Sequence, residues 1–349
     1  MVDLIKIGDK MKKKLNILFR TSGGKAKNNE LGLGHVYRCI NLGRNLRPHT
    51  MYFLIEDFGN ASDVVKKNGF KNIHFLKKNI DLKSDIKKTL DFIKRKKIDI
   101  VIVDRFNVKL DYLKKIKKVT KLIVISDLKK INYPGDLIVN GFIGFDIKIN
   151  FNNFKTKCLL GPKYQILNIS CENYSQKTKK NQTLLVTFGG YDEKNLFDIF
   201  CKSLNKYPTI VKTKIILGPA TKKTKEVKKF SEKFSNNLKI MKETKNMCYE
   251  ISKSKFGICS GGITSYEFAA MNVPFAIICQ YKHQLLTAQY WQQKGYAINF
   301  GLPNRNSQLK IQKYFEKILR NHVDSKPKKY SEIDGFGAKR VAKEILEIT

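Results

Sequence analysis

Gly32-Leu33-Gly34-His35-Val36-Tyr37-Arg38 follows Leu15-Asn16-Ile17-Leu18-Phe19-Arg20, an apolar run that reads as a first strand. Between them, residues 21–30 are small and polar, with Gly23-Gly24 and Asn28-Asn29 marking turns. Behind the two glycines, Val36, Cys39, Ile40, Gly43 and Leu46 fall on one face of a helix. His35 therefore stands at a strand–loop–helix junction, where an open α/β sheet binds its ligands beyond the carboxyl ends of its strands. Glycine on either side of Leu33 lets backbone approach a ligand, and the start of a helix favours negative charge. An imidazole there can take a proton near neutral pH. A plain βα turn that merely starts a helix is the competing account of the same residues.

The rhythm around that junction sets the fold class. Strands are predicted at 50–55, 72–76, 98–104, 121–126 and 136–140, alternating with helices at 60–67, 81–97 and 110–119. Ile98-Asp99-Ile100-Val101-Ile102-Val103-Asp104 is nearly continuous and β-branched, as in a parallel strand buried on both faces. Residues 164–182 break the pattern, which restarts with a strand at 183–188. Further strands are predicted at 212–217, 238–241, 255–259, 274–279 and 296–300, again separated by helices. Such alternation means doubly wound α/β sheets. The expected organisation is an extension over 1–14, a Rossmann-like domain over 15–163, a linker over 164–182, a second such domain over 183–325, and a final helix within 326–349 that packs back across the hinge.

A chain of 349 residues with 42% hydrophobic and 11% aromatic residues suffices for two folded domains. No apolar run reaches membrane-spanning length, and residues 1–14 lack the apolar core of a signal peptide. Seven scattered cysteines without a Cys-x-x-Cys pair are expected as reduced thiols in a cytoplasmic protein. The net charge of +38 comes almost wholly from lysine, since nine of the 68 basic residues are arginine. The lysines spread over helix surfaces and no standard nucleic-acid motif is present, so a solvated coat is expected, with no specific nucleic-acid partner. That coat would still attract a nucleotide, and weakly an anionic membrane surface.

The second half carries its own constellation, Cys259-Ser260-Gly261-Gly262-Ile263-Thr264-Ser265-Tyr266-Glu267, after a strand and at the start of a helix. Gly261 and Gly262 remove Cβ atoms where a phosphate would approach, and Ser260, Thr264 and Ser265 offer neutral donors. Glu267, one turn beyond Thr264, suits the paired hydroxyls of a ribose. Gly189-Gly190 forms a second glycine turn at the same sheet edge. Ordinary turns and a capped helix start are the alternative account.

Ser-Gly-Gly-x-Thr-x-x-Glu followed by Ala-Ala-Met-x-Val-Pro resembles the C-terminal domain of the glycosyltransferase B-type (GT-B) nucleotide-sugar enzymes, where this segment holds UDP. The first half, strand-Phe-Arg, loop, Gly-x-Gly-His-x-x-Arg, is similar to the hydrolases of pseudaminic acid biosynthesis. Those remove UDP from UDP-2,4-diacetamido-2,4,6-trideoxy-β-L-altropyranose. The resemblance spans residues 15 to about 300, including Phe188-Gly189-Gly190-Tyr191-Asp192 at the opening of the second domain. It implies a GT-B-like architecture with the nucleotide in the cleft between the domains.

By the same resemblance His35 activates the attacking water within a frame of Gly32, Gly34 and Arg38. Gly261, Gly262, Thr264 and Glu267 match the UDP pocket, and Gln284 matches a glutamine just before the next helix. The sequence departs from the hydrolase pattern at Phe106, where a tyrosine is usual, and at His283, where asparagine is common. The expected function is hydrolysis of a UDP-linked amino sugar in nonulosonic acid or surface-polysaccharide biosynthesis. A UDP-sugar-dependent glycosyltransferase on the same scaffold is the alternative. No Asp-x-Asp motif is present, and neither a metal nor a cofactor is expected.

Overall fold

The protein is described from a computed structural model covering residues 13–24, 32–145, 152–168, 171, 174, 183–320 and 332–348. Most of the expected extension, loop residues 25–31, and most of the expected linker lie outside the described residues.

The first half runs β1 (Asn16–Gly24), α1 (Gly34–Asn45), β2 (Thr50–Phe58), α2 (Ala61–Lys67), β3 (Ile73–Leu76), α3 (Leu82–Lys96), β4 (Ile100–Asp104), α4 (Leu110–Lys117), β5 (Lys121–Ile125), β6 (Leu137–Asn140) and β7 (Lys157–Leu160). All seven strands are parallel, in the order β3-β2-β1-β4-β5-β6-β7. The second half runs β8 (Thr183–Thr187), α5 (Leu196–Leu204), β9 (Lys212–Ile216), α6 (Lys225–Lys233), β10 (Leu238–Met241), α7 (Met247–Ser252), β11 (Phe256–Cys259), α8 (Ile263–Ala270), β12 (Phe275–Ile277), α9 (Lys282–Gln293), β13 (Ala297–Asn299), α10 (Ser307–Leu319) and α11 (Gly337–Glu347). Its six strands are also parallel, in the order β10-β9-β8-β11-β12-β13. Each sheet is covered on both faces. Helices α1, α2 and α11 face one side of the first sheet and α3 and α4 the other. On the second sheet α5, α6 and α10 oppose α7, α8 and α9.

Strand order reverses between β1 and β4 in one sheet and between β8 and β11 in the other. These are the points where a parallel sheet opens a crevice for a ligand. The buried run at β4 and the helical periodicities form the elements their patterns predict.

Three local expectations are corrected. β1 continues through Thr21, Ser22 and Gly23 to Gly24, pairing as far as Phe58. These residues are small enough to stay buried, and a Cβ on Gly23 would lie 2.6 Å from Val36. Residues 157–160, where no strand is predicted from the sequence, form the edge strand β7; at four residues it is too short to show periodicity. Cys171 and Cys248 form a disulfide, so the expectation of reduced thiols fails at this pair. They lie 77 residues apart, and no local spacing marks them.

Helix α11 belongs to the first sheet's packing. Ala338, Val341, Ala342 and Ile345 join the core with α1. Gly337 sits on the Gln165 backbone, where a Cβ would come within 2.1 Å of the carbonyl oxygen, and Arg340 donates to the Lys163 carbonyl at 3.0 Å.

Candidate active site

The two reversal points face one another across a cleft of about 670 Å³. Its size is in the range of small-molecule sites. The expected site residues other than Ser265 line it, from Gly32, Gly34, His35 and Arg38 on one wall to Gly189, Gly190, Ser260, Gly261, Gly262, Thr264, Glu267 and Gln284 on the other.

The first wall is built on β1, β4 and β5. His35 stands in the first turn of α1 and its Nδ1 lies 2.6 Å from Asp104 Oδ1, at the end of β4. Arg38, one turn on, reaches both Asp104 oxygens, Nε to Oδ2 at 2.9 Å and Nη2 to Oδ1 at 2.6 Å, and it also pairs with Asp127 beyond β5. Arg38 Nη2 is also 2.8 Å from His35 Nδ1. Both neighbours of Nδ1 cannot be satisfied by one proton state. A bare Nδ1 lone pair at 2.6 Å from a carboxylate would be strongly repelled, so Nδ1–H donates to Asp104 and Arg38 spends its hydrogens on the two aspartates. Nε2 is then the basic nitrogen left for the cleft.

Desolvation pushes Asp127 up, and the neighbouring Arg38 guanidinium more than reverses it, holding that carboxyl below the usual range. Asp104 and Asp127 lie at the ends of buried strands, the one signal that could have marked them as site residues in the sequence.

Beneath this wall is a buried ion cluster. Arg20, fully buried in β1, donates to Asp85 at 3.1 and 2.9 Å and reaches Glu56 at 3.4 Å. Arg105 pairs with the same two carboxylates. The cluster fixes the β4–α4 connection and, with it, Phe106 on the cleft wall.

The second wall is built on the glycine turns. Nothing lies within 4 Å of a Cβ placed on Gly262, which leaves open space at the start of α8. A Cβ on Gly261 would come within 2.9 Å of Gln284 Cβ, so Gly261 lets the first turn of α9 close on this loop. Gly189 has φ +82°, a conformation suited to glycine. Gly190 faces across the cleft, where a Cβ would touch Leu33 at 3.0 Å, making its smallness a matter of domain contact.

Some donors expected here are occupied elsewhere. Ser265 donates to the Gly262 carbonyl at 2.7 Å and accepts from Trp291 Nε1 at 3.1 Å. Gln284 Oε1 accepts the Gln280 backbone N–H at 2.8 Å. Gln280, which the sequence did not single out, donates to the Phe188 and Tyr191 carbonyls on either side of Gly189-Gly190 and so braces that turn. Glu267 is only 8% exposed, and burial pushes its carboxyl up to about 7 against a hydrogen bond from Thr264. Among the described residues no helix is long and apolar enough to cross a membrane.

MurG from Acinetobacter baumannii superposes with a TM-score of 0.63 over 95% of this chain and 99% of its own, at 12% identity. A UDP-GlcNAc 2-epimerase from Neisseria meningitidis, solved with UDP-GlcNAc, superposes at 0.60 over 95% and 100%, at 13% identity.

This is a GT-B fold.

In sequence, the GT-B chain is 30% identical to an uncharacterized protein of Methanocaldococcus jannaschii over 268 residues, 72% of this chain, and spans about half (54%) of that protein's length. It is 28% identical to the spore coat polysaccharide biosynthesis protein SpsG of Bacillus subtilis, over 78% of this chain and 81% of SpsG. It is 24% identical to the UDP-2,4-diacetamido-2,4,6-trideoxy-β-L-altropyranose hydrolase of Campylobacter jejuni, over 82% of this chain and 99% of the hydrolase. No family model matches the chain.

Proposed function

We propose that the protein hydrolyses a UDP-linked amino sugar to UDP and the free sugar, in the biosynthesis of a nonulosonic acid or a surface polysaccharide. The observation that carries this reading is the His35–Asp104 pair on one wall of the GT-B cleft, opposite the Gly261-Gly262 loop and Glu267 on the other. Similarity over nearly the whole of the Campylobacter hydrolase supports it.

In this mechanism UDP lies against the second domain, with Glu267 at the ribose and the Gly261-Gly262 amides at the diphosphate. His35 Nε2 takes a proton from water as its oxygen attacks the anomeric carbon, and the C–O bond to the β-phosphate breaks. Asp104 holds the ring and stabilises the imidazolium that forms. The leaving diphosphate keeps its electrons and negative charge, stabilised by backbone dipoles already pointing at it. Domain boundaries at 15–163 and 183–325 belong to this proposal, as does a cytoplasmic location.

A second reading, UDP-sugar-dependent glycosyl transfer, is favoured by one feature. Phe106 presents a bare ring to the cleft, with no hydroxyl to hold a water or the sugar. The test is to incubate the protein with a panel of UDP-sugars without any acceptor and to follow UDP. Release supports hydrolysis; release only after an acceptor alcohol is added supports transfer.

A further inference from the structure

His283 is the second imidazole of the cleft, on the wall opposite His35. It lies in the first turn of α9, next to Gln284, against which the Gly261 loop closes. Its ring stacks on Tyr281, with centroids 5.5 Å apart and planes 13° apart. It also meets Phe106 of the first domain, with centroids 6.1 Å apart. Tyr281 is itself held, its hydroxyl donating to Glu193 at 2.7 Å. The imidazole thus contacts one ring from each domain, at the junction between the glycine loop and the His35 wall. The Asp127 carboxylate feels its charge.

We infer that His283 is a second charge-bearing group of this site, whose imidazolium binds the diphosphate of a nucleotide sugar and makes that binding pH-dependent. The inference rests on the nucleotide-sugar reading above. A histidine in this position gives the second domain a cation that an amide cannot supply, and its hydrogen bond to a phosphate oxygen is charge-assisted. The same cation would favour the charge that gathers on the departing β-phosphate.

The charged groups around it are Asp127 beyond β5, Arg38 and His35 on α1, Lys282 beside it on α9, and Lys130, whose ammonium lies 5.7 Å from the centre of the Phe106 ring. Bound diphosphate adds negative charge on the side where His283 faces the cleft. Affinity is therefore greatest when His283 is protonated and falls as pH rises through its bound-state range.

The test is calorimetric titration of UDP-GlcNAc, whose diphosphate is a diester with no ionisation near neutrality, into two proteins. One is His35→Ala, which removes the proposed base and the other cleft histidine; the second adds His283→Gln. Circular dichroism checks that both are folded. Between about pH 5.5 and about pH 8.5 the single variant is expected to lose affinity about tenfold relative to the double variant. Glu267 titrates in the same window with the opposite sense, but it is common to both proteins and cancels in their ratio. An affinity ratio between the two that stays constant with pH would overturn the inference and leave the nucleotide-sugar reading standing. Absence of UDP-GlcNAc binding by the single variant at every pH would overturn both.

Discussion

His35 Nδ1 and Asp104 Oδ1 lie 2.6 Å apart, joining the first turn of α1 to the end of β4 across the point where the first sheet reverses its strand order. The contact fixes which ring nitrogen carries the proton. An amide in place of the carboxylate can present its NH₂ to Nδ1 and turn the tautomer the wrong way. Asp104→Asn is expected to lower UDP-sugar turnover by roughly 10²–10⁴-fold while UDP affinity stays within about threefold. Steady-state rates and calorimetry check it. Unchanged turnover in a folded variant would remove Asp104 from the mechanism.

Arg20 makes a separate, structural prediction. Its guanidinium is fully buried with Asp85 and Glu56, and Arg105 shares those carboxylates. Burial pushes Asp85 up, and Arg20 and Arg105 bring it below its ordinary value. Arg20→Ala leaves uncompensated charge in the interior and is expected to cost about 3–5 kcal/mol in denaturant unfolding. A loss below about 1 kcal/mol would place the cluster among weakly contributing surface pairs.

Glu267 trades stability for binding. Burial raises its carboxyl to about 7, above the usual unfolded value near 4.3. With the folded value the higher one, the favourable contribution is full below about pH 4 and is lost as pH rises through about 7. Glu267→Gln is therefore expected to stabilise the free protein by up to about 3 kcal/mol near pH 8 and by little near pH 5. The same change should weaken UDP binding about tenfold, through loss of a charge-assisted hydrogen bond. Thermal melts at the two pH values and calorimetry separate these effects. Movement of stability and affinity in the same direction would contradict the assignment.

Much of this was legible in the chain. The β-branched run ending at Asp104 and the Gly-x-Gly-His turn identify a buried parallel strand and a βα junction, because both signals are local. β7 was missed because Lys157-Cys158-Leu159-Leu160 is short and gains its identity only by pairing with β6. The Cys171–Cys248 link and the Arg20–Asp85 pair join residues far apart in sequence, and no spacing rule reaches that far. Gly190 was legible as a glycine turn, but its approach to Leu33 depends on how the two domains meet. Ser265 has the right chemistry for a ligand, yet a backbone carbonyl and an indole occupy its hydroxyl, and Gln284 keeps only its Nε2 amide for the cleft, its Oε1 being held by the Gln280 N–H.

The proposed reaction is attack of water at the anomeric carbon of a UDP-sugar, activated by His35. It is tested most directly by incubating the protein with its UDP-sugar in ¹⁸O-water without acceptor and weighing both products. The predicted result is one heavy oxygen in the free sugar and none in UDP, with the rate falling by roughly 10²–10⁴-fold in His35→Ala. Label in UDP, or no UDP until an acceptor is supplied, would contradict it.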